Sequence, residues 1–249
     1  DAGRLYFSVA DARGPEPWSS GGTEEGTAIL GALAPSVGSS SPGNLVAWND
    51  RILFSATDSE AGAEPWISDG SAIGTWRVHD IQPAPSGSVE DRPTFTEVAG
   101  RQIFVARTSE LGDELWITDG SEAGTALLKE IRPGATGATF SPRGFGRLDD
   151  YLYFLACDGV SGNALWRTDG RATGTELFTT FPRETGCQSF PISSVRTRAE
   201  VPSRLVFSGP RRLIPPFISP TWEAYATDGT AAGTEPVHPL AFPGIPAHS

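Results

Sequence analysis

Four aspartates, Asp69, Asp119, Asp169 and Asp228, share one local setting: a Gly follows at once, and a Gly-Thr pair comes a few residues later. A carboxylate in a Gly-rich turn can ligate a hard cation, or it can accept backbone N–H groups and close the turn. Calcium needs about six to eight oxygens, usually several carboxylates within one loop. Each of these turns offers one or two, and no D-x-D-x-D-G series occurs. Asp11, Asp58 and Asp158 end strand-like segments and do not enlarge any one set. The turn role is therefore expected, with no cofactor and no metal; calcium is the alternative.

Other chemistry is sparser. His79, His238 and His248 are too scattered for a zinc site. No G-x-S-x-G nucleophile elbow is present. Glu97, and Asp149 with Asp150, are carboxylates that could serve a glycosidase, which works with a carboxylate pair. Nothing in their setting pairs them, so no catalytic residue is nominated and the chain is not expected to be an enzyme.

The aspartate turns belong to a longer unit. "EPWSSGGTEEGT", "EPWISDGSAIGT", "ELWITDGSEAGT", "ALWRTDGRATGT" and "EAYATDGTAAGT" recur along the chain. Their aromatic residues are Trp18, Trp66, Trp116, Trp166 and Tyr225. A period of roughly 50 residues marks a repeat architecture. Within one repeat, "TFTEVAG", "RQIFVAR", "DELWITD" and "TALLKEI" read as four short strands separated by turn residues. No window keeps a helical period, and no helix is expected. Phe7, Phe54, Phe104, Phe154 and Phe207 share one position in the second strand. They and the motif aromatics read as packing between neighbouring units rather than as a ligand box.

Four strands per repeat predict a propeller blade. The expected fold is an all-β, five-bladed β-propeller with antiparallel blades, a single domain over residues 1–249. Its repeats run approximately 4–50, 51–100, 101–150, 151–203 and 204–249. The first repeat begins without an innermost strand, and "GIPAHS" (residues 244–249) is expected to supply it beside the Arg4–Val9 segment, with a longer native tail or a partner chain as the alternative.

The motif resembles that of the bacterial ELWxxDGT repeat family, in five copies over essentially the whole chain. The resemblance implies exported bacterial surface proteins with a propeller fold, and it implies no particular reaction. The departures are Pro17 and Pro65 at the Leu position, Ala164 at the Glu, Gly21 at the Asp and Tyr225 at the Trp.

The chain has 249 residues, 38% hydrophobic, with a formal net charge of −11. That balance argues against nucleic acid and anionic membranes as partners. No apolar run is long enough for a direct membrane span. The absence of Met suggests a processed chain with its signal peptide removed, hence an extracytoplasmic location: periplasm, cell surface or secreted. Cys157 and Cys187 fit a disulfide in such a compartment, and two buried thiols are the alternative.

One loop breaks the repeat. "GPRRLIPPFISPTW" (Gly209 to Trp222) replaces a short polar loop. Arg211, Arg212, Leu213, Ile214, Phe217 and Trp222 have the composition of an interface hot spot, although a lid over the fold would look similar. The expected function is thus non-catalytic protein binding or scaffolding, within a cell-envelope assembly. A lectin-like carbohydrate-binding propeller is the alternative and a glycoside hydrolase the third reading. Trp48, Trp76 and Trp222 are expected to be exposed, and they do not recur between repeats.

Overall fold

The computed structural model describes residues 3–11, 14–34, 39–83, 87–89, 95–140, 145–181, 187, 196–197, 204–210 and 222–236. It is all-β. The first repeat forms a three-stranded sheet of Leu5–Asp11, Gly14–Ser20 and Thr27–Ile29. The second is Gly43–Trp48, Arg51–Asp58, Gly62–Ser68 and Thr75–Arg77. The third is Thr96–Val98, Arg101–Thr108, Gly112–Thr118 and Ala126–Lys129. The fourth is built on Gly146–Leu148, Tyr151–Cys157, Asn163–Thr168 and Glu176–Thr180. The fifth is Arg196–Thr197, Leu205–Pro210, Trp222–Thr227 and Glu235–Pro236. Within each sheet, consecutive strands pair antiparallel, as short hairpin connections require. Where no helix was expected, Ala172–Gly174 makes a single 3-10 turn, because the turn "RATG" winds once on itself before the fourth strand.

The register is the same in all five sheets. Phe7 lies opposite Trp18, Phe54 opposite Trp66, Phe104 opposite Trp116, Phe154 opposite Trp166 and Phe207 opposite Tyr225. In the second to fourth sheets both partners are buried; Phe7 and Trp18 are half-buried.

By its contacts the chain divides into two compact units, Asp1–Thr139 with Gly170–Thr175, and Phe140–Asp169 with Glu176–Ser249. In the first unit, core clusters form between successive sheets. Leu30 of the first repeat packs with Ile52, Phe54 and Trp66 of the second. On the other face of the second sheet, Trp48, Leu53, Ile67 and Val78 pack with Phe104 and Trp116 of the third. Leu53 and Phe54 are neighbours that point to opposite faces, and both are fully buried because each face is covered. This explains why "RILFSA" reads as a continuous apolar run rather than an alternation. Trp48, expected at the surface, is 6% exposed and belongs to this core. In the second unit, Leu148, Tyr153, Leu155 and Leu165 pack with Leu205 and Tyr225. Cys157 and Cys187 are joined by a disulfide within that unit. Residues 244–249, expected to complete the first sheet, lie outside the described residues.

Candidate functional site

The aspartate turns are built by local polar contacts. Asp119 Oδ1 accepts the Ser121 backbone N–H at 2.9 Å and its hydroxyl at 2.6 Å. Asp69 does the same with Ser71, and Asp228 with Thr230. These hydroxyl bonds hold all three carboxyls below their usual range, so they stay ionised. Gly124 has no room for a side chain: a Cβ there would stand 2.0 Å from Asp119 Oδ1. Thr125 closes the other end, sharing a hydroxyl contact with Thr118 at 2.6 Å. Asp58 and Asp158 serve the loops between second and third strands, each taking two backbone N–H groups on Oδ1. Among the described residues, no group of three or more His, Cys, Asp or Glu could hold a metal ion.

The glutamate that opens the motif had no role assigned from sequence, and it proves to be a buried staple. Glu64 is 0% exposed and accepts the backbone N–H groups of Ile81 at 3.3 Å and Gln82 at 3.2 Å, and the Ser88 hydroxyl. Glu114 accepts from Ile131 and Arg132 in the same way, and Glu16 takes the Ser40 hydroxyl at 2.7 Å. Each ties its third strand to the segment that leads to the next repeat. Burial pushes the Glu64 and Glu114 carboxyls up to about 7 against these hydrogen bonds. Their recurrence at the first motif position was the available signal.

Glu97 is exposed on Thr96–Val98 in the first unit, and Asp149 and Asp150 form an exposed hairpin turn in the second. Of the loop residues, Arg211, Arg212, Leu213, Ile214 and Phe217 lie outside the described residues. Trp222 opens the strand Trp222–Thr227 opposite Pro210.

A different site appears in the first unit. A cavity of about 370 Å³ is lined by Arg51, Trp76, Arg77 and Val78 of the second repeat and by Asp119, Gly120, Ser121 and Glu122 of the third. It exists because the third repeat's aspartate turn docks on the second sheet. A Cβ on Gly120 would meet Ile67 at 2.9 Å and Trp48 at 3.2 Å, so the missing side chain permits the approach. Trp76 is 37% exposed, and the Arg51 guanidinium lies over its ring at 5.0 Å from the centroid. Arg77 NH1 donates to Asp58 at 2.5 Å, and its NH2 stands 3.8 Å from Asp80. Two of the lining residues, Trp76 and Arg77, depart from the repeat. Where Trp76 stands, the other repeats have Ala28, Ala126, Glu176 and Glu235; where Arg77 stands, they have Ile29, Leu127, Leu177 and Pro236. Glu122 is matched by Glu24 but by Ala72, Ala172 and Ala231 elsewhere.

No protein-family model and no curated relative matches the chain. Solved structures do. The β-propeller domain of the Trilobed protease from Pyrococcus furiosus aligns at TM-score 0.45 and 14% identity, over 79% of this chain and 57% of that one. A prolyl endopeptidase aligns at TM-score 0.51 and 12% identity, over 96% of this chain and 35% of that one. An endo-arabinase from Bacteroides thetaiotaomicron aligns at TM-score 0.37 and 14% identity, over 89% and 88%. The chain thus spans 57% of the protease propeller structure and 56% of a Bacteroides ovatus xyloglucan GH43 structure. Other matches are named as arabinofuranosidases and a galactanase. The expectation of a non-catalytic scaffold that is not an enzyme stands against this set, whose members are named in the main as glycoside hydrolases and peptidases. At such identities the likeness itself describes the fold. No helix among the described residues is long and apolar enough to cross a membrane.

Proposed function

We propose that the chain is a carbohydrate-active protein, built as a five-bladed β-propeller, that seats a saccharide on Trp76. The observation that carries this reading is the cavity itself, where Trp76 and Arg77, which break the repeat, share one space with the Asp119–Glu122 turn of the third repeat. A partly exposed indole offers an apolar platform for sugar C–H groups. Guanidinium donors and carboxylate acceptors around it match sugar hydroxyls. The volume falls at the small end of the range of about 300–1,000 Å³ usual for ligand sites, which suits one or two sugar residues. Asp119, kept ionised by Ser121, and Glu122 stand on the same turn. A glycosidic oxygen held beside Trp76 would face two carboxylates, the residue class that glycoside hydrolysis uses.

The five-bladed reading is supported by five antiparallel sheets that share one Phe–aromatic register. The disulfide supports an extracytoplasmic setting, and the recurring motif supports placement among ELWxxDGT repeat proteins. The test is a glycan array followed by product analysis on arabinan, galactan and xyloglucan oligosaccharides, with wild type, Trp76→Ala and Glu122→Gln. The expected result is saccharide binding that Trp76→Ala weakens by at least about tenfold, and turnover that Glu122→Gln reduces. A wild-type protein that neither retains nor cleaves any saccharide contradicts the proposal.

A further inference from the structure

Arg51 occupies a position that is also Arg in three other repeats, as Arg4, Arg101 and Arg204; the fourth repeat has Tyr151. Those three arginines have polar partners. Arg4 NH1 donates to the Ser19 hydroxyl at 3.1 Å, Arg101 NH2 donates to the Gly170 carbonyl at 2.5 Å, and Arg204 NH1 stands 3.6 Å from Glu235. Arg51 differs. Its guanidinium lies over Trp76 with the charge of the Asp69 carboxylate nearby, and among the described residues no hydrogen bond engages it. Trp76, where the other repeats have Ala or Glu, gives this arginine an aromatic support. Stacking holds a guanidinium by its face and leaves its N–H edge available, and that edge is the part that grips a carboxylate through two parallel hydrogen bonds.

The second cation in the cavity is already matched. Arg77 is paired with Asp58 and Asp80, so Arg51 is the cation open to a ligand. The opposite wall has the reverse character. Asp119 and Glu122 offer acceptor oxygens and repel a second negative group, while the Ser121 hydroxyl is already engaged, donating to Asp119 and accepting from the Gly124 N–H. A ligand that suits both walls has one singly charged acid, several hydroxyls and a ring that lies on indole.

We infer that the saccharide bound at Trp76 is a hexuronic acid whose carboxylate is taken by Arg51. The inference rests on the saccharide reading of this cavity. A dianionic sugar phosphate would exceed the single positive charge of Arg51 and meet Asp119 and Glu122, so it is disfavoured. A polyanion is disfavoured further by the chain's net charge of −11.

The experiment is calorimetric titration at low ionic strength with glucuronate, galacturonate, glucose, galactose and glucose 6-phosphate. The proteins are wild type, Arg51→Met, Arg51→Lys and Trp76→Ala. Wild type is expected to bind a uronate at least about tenfold more tightly than its neutral parent, the range of a charge-assisted bidentate contact. Arg51→Met should remove that preference, so that a uronate and its neutral parent bind alike, while a melting temperature close to wild type shows the fold intact, since Arg51 is exposed. Arg51→Lys should keep part of the preference, with the charge but without the fork. Equal wild-type affinity for uronate and neutral sugar overturns the inference and leaves the saccharide reading standing. Preference for the phosphate, or a uronate preference that survives Arg51→Met, overturns it as well. No binding of any sugar removes the saccharide reading and the inference together.

Discussion

Ser88 donates its hydroxyl to the Glu64 carboxylate, which has no solvent exposure, in the segment that leads from the second repeat to the third. The Ile81 and Gln82 backbone groups meet the same carboxylate. Burial opposes ionisation there and at Glu114, and raises both groups to about 7 from the ordinary carboxyl value of 4.5. A carboxyl whose folded pKa is raised favours the fold fully below its unfolded pKa and loses that contribution as pH rises through the folded value. Thermal stability should therefore increase as pH falls from about 7 to about 4.5, by on the order of 3 kcal/mol per carboxyl. In the Glu64→Gln, Glu114→Gln double variant the slope across that window should flatten. A wild-type profile already flat there would show that the N–H bonds outweigh burial.

Phe104 and Trp116 form one of the five cross-strand aromatic pairs, and both are in the core. Trp116→Ala should cost about 3–5 kcal/mol, as expected for loss of a large buried aromatic. Trp76→Ala should cost under about 1 kcal/mol, because Trp76 is part exposed and outside the core clusters. Chemical denaturation of the two variants is the check, and similar losses would contradict the separation of packing from site tryptophans.

Gly124 and Asp119 are coupled by contact, since a Cβ on Gly124 would occupy the carboxylate's place. Gly124→Ala should destabilise by about 1–3 kcal/mol. Asp119→Ala made in that background should cost less than Asp119→Ala alone, a coupling a double-mutant cycle reads directly. Additive losses would mean that the turn does not depend on this contact.

The disulfide between Cys157 and Cys187 closes a separation of 30 residues. Replacing both with Ala should cost roughly 3–4 kcal/mol by loop-closure entropy. The measurement is denaturant unfolding of the double variant against the oxidised protein; equal midpoints would contradict a stabilising bridge.

Sheet, strand and register were legible because each rests on local pattern. The turn after Trp66 is signalled by Asp69, Gly70 and Gly74, and the hairpin before it sets Phe54 opposite Trp66. The cavity was not legible. It depends on which turn docks on which sheet, and nothing near Trp76 in the chain announces that Glu122 will line the same space. Trp48 misled for the same reason: outside the motif it reads as surface, yet the docked turn at Gly120 covers it. Glu64 and Glu114 were visible as motif letters, but their role depends on N–H groups of the connecting segments, which have no sequence signature of their own.

The central claim is that Trp76 is the platform of a saccharide site. The most direct measurement is a crystal structure of the protein with a bound saccharide selected by array. A sugar ring is expected in van der Waals contact with the Trp76 indole, with hydroxyls bonded to Asp119 or Glu122 and a uronate carboxylate on Arg51. A saccharide bound elsewhere, with the Trp76 cavity holding solvent, would contradict it.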